Sequence, residues 1–285
     1  MRRYLLLLAL VCSIRLGAQD HHELGLMGGV ANYRGDLQPD LLPSYGYKPM
    51  AGLLYKYFMN PFIGVRCGLA YSGLTASDSR SNVAANVARN LSFSTDLYEL
   101  HAALEVNLVP IEIKRKKVAP YLFGGISLFY YNPYTKDNNG EKVFLKPLST
   151  EGEGLGMYPD RKHYSLLNMA FPFGGGLKFF MGKRMMLCAE VGYRYTNADY
   201  IDDVSKSYVD LSVLQANKSQ LAKDMSFRGN SVPVWNGATP SYGDKRGDNQ
   251  SNDWYWYGNV TLTVFFRSFS YAADYIKTKC PSFFR

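Results

Sequence analysis

Apolar and polar residues alternate with a period of two along most of this chain's regular stretches. In residues 62–74 the odd positions Ile63, Val65, Cys67, Leu69 and Tyr71 are apolar, while Gly64, Arg66, Gly68, Ala70 and Ser72 are small or charged. Successive side chains of a strand point to opposite faces, so this spacing predicts a strand with unlike faces. Tyr98, Leu100, Ala102, Leu104, Val106 and Leu108 oppose Glu99, His101, Glu105 and Asn107 in the same way. Residues 185–196 set Leu187, Ala189, Val191, Tyr193 and Tyr195 against Glu190, Gly192, Arg194 and Thr196. Residues 254–266 set Trp256, Val260, Leu262, Val264 and Phe266 against Tyr257, Asn259, Thr261 and Thr263. Less regular stretches at 23–34, 50–58, 121–131 and 170–181 bring the total to eight strands. Most are close to the roughly 9–11 residues that cross a bilayer at a tilt.

The connections turn these strands into an architecture. Residues 59–61 and 182–184 are short turns, and 110–118 is of moderate length. Between them lie long polar segments at 35–49, 75–95, 132–168 and 197–253. Long and short alternate strictly, as in an up-and-down barrel with short periplasmic turns and long outer loops. The expected fold is all-β, an eight-stranded antiparallel transmembrane barrel over 19–266, with a periplasmic tail at 267–285. Tyr71, Tyr98, Tyr130, Tyr193, Tyr195, Trp254 and Trp256 fall near strand ends, where amphipathic rings meet the membrane–water boundary. Residues 208–225 carry Val209, Val213, Ala216 and Leu221 at roughly helical spacing, which predicts a short helix over the barrel mouth.

Composition agrees with this picture. Of 285 residues 47% are hydrophobic, 15% aromatic and only 20% charged, which excludes a disordered chain. Residues 1–18 read as a signal peptide: Arg2 and Arg3 precede an apolar stretch at 4–14, and Ala18 is the cleavage point. That segment removes Arg2, Arg3 and Arg15 and no acid, leaving 29 basic against 24 acidic residues. So modest an excess does not call for a nucleic-acid partner. Cys67, Cys188 and Cys280 are too few and too spread for a disulfide framework or a zinc site. Cys67 and Cys188 fall on opposite faces of the wall, so they are not expected to pair.

Candidate chemistry sits on the inward face. Arg66, Glu99, His101, Glu105, Lys178, Glu190 and Arg194 are expected to form a polar network in the lumen, because charges enclosed in a narrow barrel must pair. No metal and no cofactor is expected. Asp199, Asp202, Asp203 and Asp210 read as a solvated acidic loop, without the spacing of a calcium loop. No Gly-x-Ser-x-Gly elbow occurs, and His21, His22, His101 and His163 suit no catalytic triad, so an enzyme is not expected. Lys114, Arg115, Lys116 and Lys117, with Lys183 and Arg184, read as basic turns at lipid head groups. With Cys280 of the tail, they also form the surface for a periplasmic partner.

Three segments carry a resemblance. Residues 190–205 (Glu-Val-Gly-Tyr-Arg-Tyr-Thr-Asn-Ala-Asp-Tyr-Ile-Asp-Asp-Val-Ser), the hairpin sequence 120–126 (Pro-Tyr-Leu-Phe-Gly-Gly-Ile) and Lys279-Cys280-Pro281 resemble a Bacteroidota family of outer-membrane barrels of unassigned domain, which includes the PorG component of the type IX secretion system. The resemblance spans 23–281. It implies a small non-catalytic barrel associated with periplasmic proteins of a secretion complex. The expected function is therefore an outer-membrane anchor and assembly component bathed in lipid. The alternative is a stand-alone surface barrel whose outer loops bind a ligand, lipid or glycan.

Overall fold

A computed structural model describes residues 21–109, 118–181, 184–232 and 239–266. Its strands are β1 (His21–Arg34), β2 (Lys48–Phe58), β3 (Ile63–Ser77), β4 (Ser92–Asn107), β5 (Val118–Tyr131), β6 (Tyr134–Lys136), β7 (Lys142–Phe144), β8 (Leu167–Phe180), β9 (Met185–Thr196) and β10 (Trp254–Phe265). Eight of them form a closed antiparallel barrel in which each strand pairs with its neighbours in sequence, and β1 closes on β10 from Glu23↔Phe265 to Arg34↔Trp254. The short hairpin β6–β7 extends the sheet beyond the barrel through Ser94↔Tyr134. Among the described residues no helix is long and apolar enough to cross a membrane.

The outer and inner surfaces are inverted relative to a water-soluble protein. Leu69, Leu100 and Leu128 are register partners across β3, β4 and β5, and each is about half exposed. Leu26, Leu53, Leu104, Leu122, Ile126, Val191, Val260 and Leu262 continue this apolar belt. In contrast, Lys56, Arg66, Glu105, Lys178 and Arg194 are buried inside. A closed sheet satisfies every ladder group internally, and an apolar belt on its outside matches lipid. The chain is an outer-membrane β-barrel. The long loops define its outer end. There Tyr71, Tyr98 and Tyr130 form a row across β3–β4–β5, with ring centroids 5.2 and 6.5 Å apart, and Trp254 packs on Tyr195 at 4.8 Å. This is the aromatic girdle expected from the sequence.

Two local expectations are corrected. The hairpin β3–β4 continues to Ser77↔Ser92, so the loop expected at 75–95 shrinks to 78–91. The Ser- and Thr-rich ends pair as strand outside the membrane, where no apolar face is required; Thr75 Oγ1 donates to the Phe93 carbonyl at 2.7 Å. The helix expected in 208–225 is two helices, Leu211–Asn217 and Gln220–Ser226. Ser219 breaks the run with extended dihedrals and caps the second helix by accepting from the Ala222 N–H. The proposed leader 1–18 and tail 267–285 lie outside the described residues.

Candidate functional site

An eight-stranded barrel has an interior just wide enough for side chains to fill it. Alternation sends the even residues of β3, β8 and β9 and the odd residues of β4 inward, so all seven predicted network residues are buried in the lumen. They form two groups. Toward the periplasmic end, Glu105 lies 2.8 Å from Lys56 Nζ and 3.4 Å from Arg66 Nη1 and also pairs with Lys178. The same Nη1, with Nη2, holds Glu190 in a two-point contact of 2.6 and 3.1 Å. Tyr121 donates to the same carboxylate at 2.7 Å, and Lys178 donates to Asn107 Oδ1 at 2.7 Å. Toward the outer end, Glu99 accepts from Arg194 Nε at 3.2 Å and from the Tyr255 hydroxyl at 2.6 Å, with His101 Nδ1 3.0 Å away.

Aromatic faces complete the enclosure. Arg66 lies over Phe123 at 4.3 Å and Arg194 over Tyr257 at 4.0 Å. Small residues opposite large ones make room: a Cβ on Gly68 would meet the His101 ring at 2.5 Å. Among the described residues the lumen acids Glu23, Glu99, Glu105 and Glu190 equal in number the bases Lys56, Arg66, Lys178 and Arg194. Sequence reasoning missed Lys56 and Glu23, which are direct partners across β1 and β2. Cys67 is exposed on the wall and Cys188 is buried in the lumen, both as free thiols, as the alternation predicts.

Sequence reasoning placed a helix over the barrel mouth but missed the buried polar core of the outer loops. The long loops fold into a plug with its own buried contacts: Val209, Leu214 and Ala222 pack against Tyr158. Asp202 and Asp203 are buried, which corrects the expectation of a solvated acidic loop; Asp210 instead caps the helix Leu211–Asn217 by accepting from the Ser212 and Val213 N–H groups. Asp203 adopts a left-handed φ of 66°, which aspartate tolerates, and accepts from the Thr150 and Tyr164 hydroxyls at 2.5 and 2.6 Å. Glu151 accepts from Arg246 Nη1 at 2.9 Å and from the backbone N–H groups of Ser205 and Lys206. Arg89 grips Asp78 through two contacts of 2.7 Å and also donates to the Arg246 carbonyl.

Acids outnumber bases in this plug. Burial pushes Asp203 up to about 6 despite the attraction of Arg246, and raises Glu153 to about 8 with help from Asp203 and Glu151. Burial likewise raises Asp199 to about 7 and Asp36 to about 6. Among the described residues no group of three or more His, Cys, Asp and Glu side chains is arranged to hold a metal ion. Beside the plug lies an open cleft of about 720 Å³, lined by Arg34, Asp36, Asn86, Lys245, Asp248 and Trp254 among others.

At the periplasmic end Arg184 is exposed beside β9. Lys114, Arg115, Lys116, Lys117, Lys183 and Cys280 lie outside the described residues, so their proposed surface is not assembled here.

Residues 1–147 of the 285 match the family described as Domain of unknown function (DUF6089). No curated protein matches the chain. Among solved structures, the chain is similar to Neisserial surface protein A at 11% identity and a TM-score of 0.41, covering 85% of this chain and 96% of that one. It is similar to Ail, the attachment invasion locus protein of Yersinia pestis, in complex with the heparin analogue sucrose octasulfate, at 10% identity and a TM-score of 0.40, covering 87% and 99%. Outer membrane protein OprG from Pseudomonas aeruginosa gives 10% identity and a TM-score of 0.39, covering 88% and 97%.

Proposed function

We propose that this chain, which belongs to the DUF6089 family, is a non-catalytic outer-membrane anchor that helps to assemble a protein-secretion complex of the type IX kind. The supporting observation is that the barrel is filled. Paired charges occupy the lumen and a folded plug covers its outer end, so no route is left for a secreted chain through the wall. The function then resides in surfaces. The lipid-facing belt fixes the barrel in the membrane, and the periplasmic turns and tail present the contacts. Arg184 is the described member of that basic set.

The Tyr200-to-Ser205 stretch behind the resemblance works structurally in this chain. Tyr200 donates to Glu151 at 3.0 Å, the Ile201 N–H donates to Asp253, and Ser205 Oγ donates to Asp199 at 2.5 Å. The stretch is the hinge-pin of the plug, which fits an architectural role. The second reading, a stand-alone surface barrel binding a ligand, lipid or glycan, draws on the cleft beside Trp254 and Arg34.

Mild-detergent isolation of the tagged chain from native outer membranes, followed by mass spectrometry, separates the two. Co-recovery of periplasmic proteins of a secretion complex, lost on charge reversal of Lys114 to Lys117 and Arg184, is the expected result. Recovery of the barrel alone, under conditions that keep other envelope complexes intact, contradicts the anchor reading and favours the cleft.

A further inference from the structure

Tyr33, near the outer end of β1, is fully buried, and its hydroxyl touches two carboxyl groups at once. It lies 2.7 Å from Asp202 Oδ2 and 2.6 Å from Asp253 Oδ1. A phenol has one hydrogen to donate. It can satisfy one of these contacts. The other, at the same short O···O length, needs a second hydrogen, and only a protonated carboxyl can bring it.

The remaining hydrogen bonds say which carboxyl that is. Asp202 Oδ2 also accepts from the Leu37 N–H at 3.3 Å, and its Oδ1 accepts from the Val204 N–H at 2.9 Å. Asp253 Oδ2 accepts from the Ile201 N–H at 2.8 Å, but among the described residues its Oδ1 has Tyr33 alone. A carboxylate with donors on both oxygens holds negative charge better. The hydrogen therefore sits on Asp253 Oδ1 and points at the Tyr33 oxygen, whose own hydrogen points at Asp202 Oδ2.

We propose that Tyr33, Asp202 and Asp253 form a buried proton-binding site that fastens the outer plug to the barrel wall, and that loss of its single proton loosens the plug. The site joins three separate segments: β1, the loop after β9, and the residue that leads into β10. Deprotonation places two negative charges on either side of one phenol oxygen. The surrounding groups oppose that. Asp36 faces the pair from the loop after β1 and Asp199 from the loop after β9. From β5, Tyr131 brings a buried hydroxyl, without a hydrogen-bond partner among the described residues, to the same group of acids. Nearby Arg246 is engaged by Glu151 and the Asp203 backbone, and Arg89 by Asp78.

Burial, followed by these neighbouring acids, holds Asp202 and Asp253 well above the ordinary carboxylate range. The sign follows directly. The folded value lies above the unfolded one, so the stabilisation is fully present below the ordinary carboxylate range and is lost as pH rises through the folded value.

The test uses the full chain in detergent micelles. Infrared difference spectra between the wild type and Asp253→Asn at pH 7 should show a protonated carboxyl C=O band that the variant lacks. The asparagine keeps a donor toward Tyr33 and an acceptor toward Ile201, so it stands in for the protonated acid and should fold. Hydrogen exchange of amides 199–205, corrected for intrinsic rates, provides the second readout. Between the ordinary carboxylate range of the open state and the raised value of the closed site, one proton adds a factor of about ten per pH unit to the opening equilibrium, and Asp253→Asn should remove that factor. Asp199→Asn should leave the factor in place. Identical carboxyl bands, or identical pH slopes in wild type and Asp253→Asn, would overturn the proposal. So would a plug whose stability depends on an added divalent cation rather than on pH.

Discussion

Glu105 carries more of the barrel's electrostatics than any other lumen residue. Lys56, Lys178 and Arg66 all converge on it, and all four side chains are fully buried. Removing one member of a buried ion cluster leaves its partners uncompensated, which costs about 3–5 kcal/mol. Glu105→Gln keeps the shape and removes the charge. It should lower unfolding stability in micelles by about that amount, and a change well under 1 kcal/mol would contradict the pairing described here. Arg66, Glu99, His101 and Glu105 were legible in the sequence because β3 and β4 alternate cleanly. Lys56 was not. Its strand reads Leu53-Leu54-Tyr55-Lys56-Tyr57-Phe58, apolar on both faces, because Leu54 and Phe58 line the lumen while Leu53 and Tyr55 face lipid. Glu23 was hidden in the same way by the glycines of β1, which contribute to neither face.

At the scale of the element, a strand is a depth ruler. Leu100 sits in the apolar row between Leu69 and Leu128, and Tyr98, two residues nearer the outer end, sits in the aromatic girdle. A lipid-facing arginine costs about 2–4 kcal/mol at the bilayer midplane and about 0–1 near the interface. Leu104→Arg, six residues from Tyr98 toward the middle of the belt, should therefore destabilise the protein in lipid vesicles by several-fold more than Tyr98→Arg. Equal costs would place the membrane elsewhere on the barrel. Strands were read from sequence to within a few residues because lipid enforces a strict period of two along the spanning part. The outer loops obey no such period. Their core is assembled from polar side chains that bury by pairing, such as Glu151 with Arg246 and Asp78 with Arg89, and isolated apolar residues such as Ile201 and Val209. Nothing in spacing alone distinguishes such a segment from a solvated one. The Tyr200-to-Ser205 stretch, with its buried acids between apolar residues, held the available signal.

For the whole molecule, charge balance and closure act together. Among the described residues four acids and four bases lie in the lumen beside buried aromatic rings, the aromatic girdle marks the outer interface, and the plug completes the cover. The anchor reading depends on this: a filled barrel offers surfaces rather than a passage. The most direct test is conductance across planar bilayers holding the purified full chain. A filled barrel predicts no stable single-channel steps at neutral pH, and small openings only when Glu105→Gln or loss of the plug disturbs the packing. Steady ohmic conductance from the wild-type protein would show a continuous water path through the lumen and contradict the account.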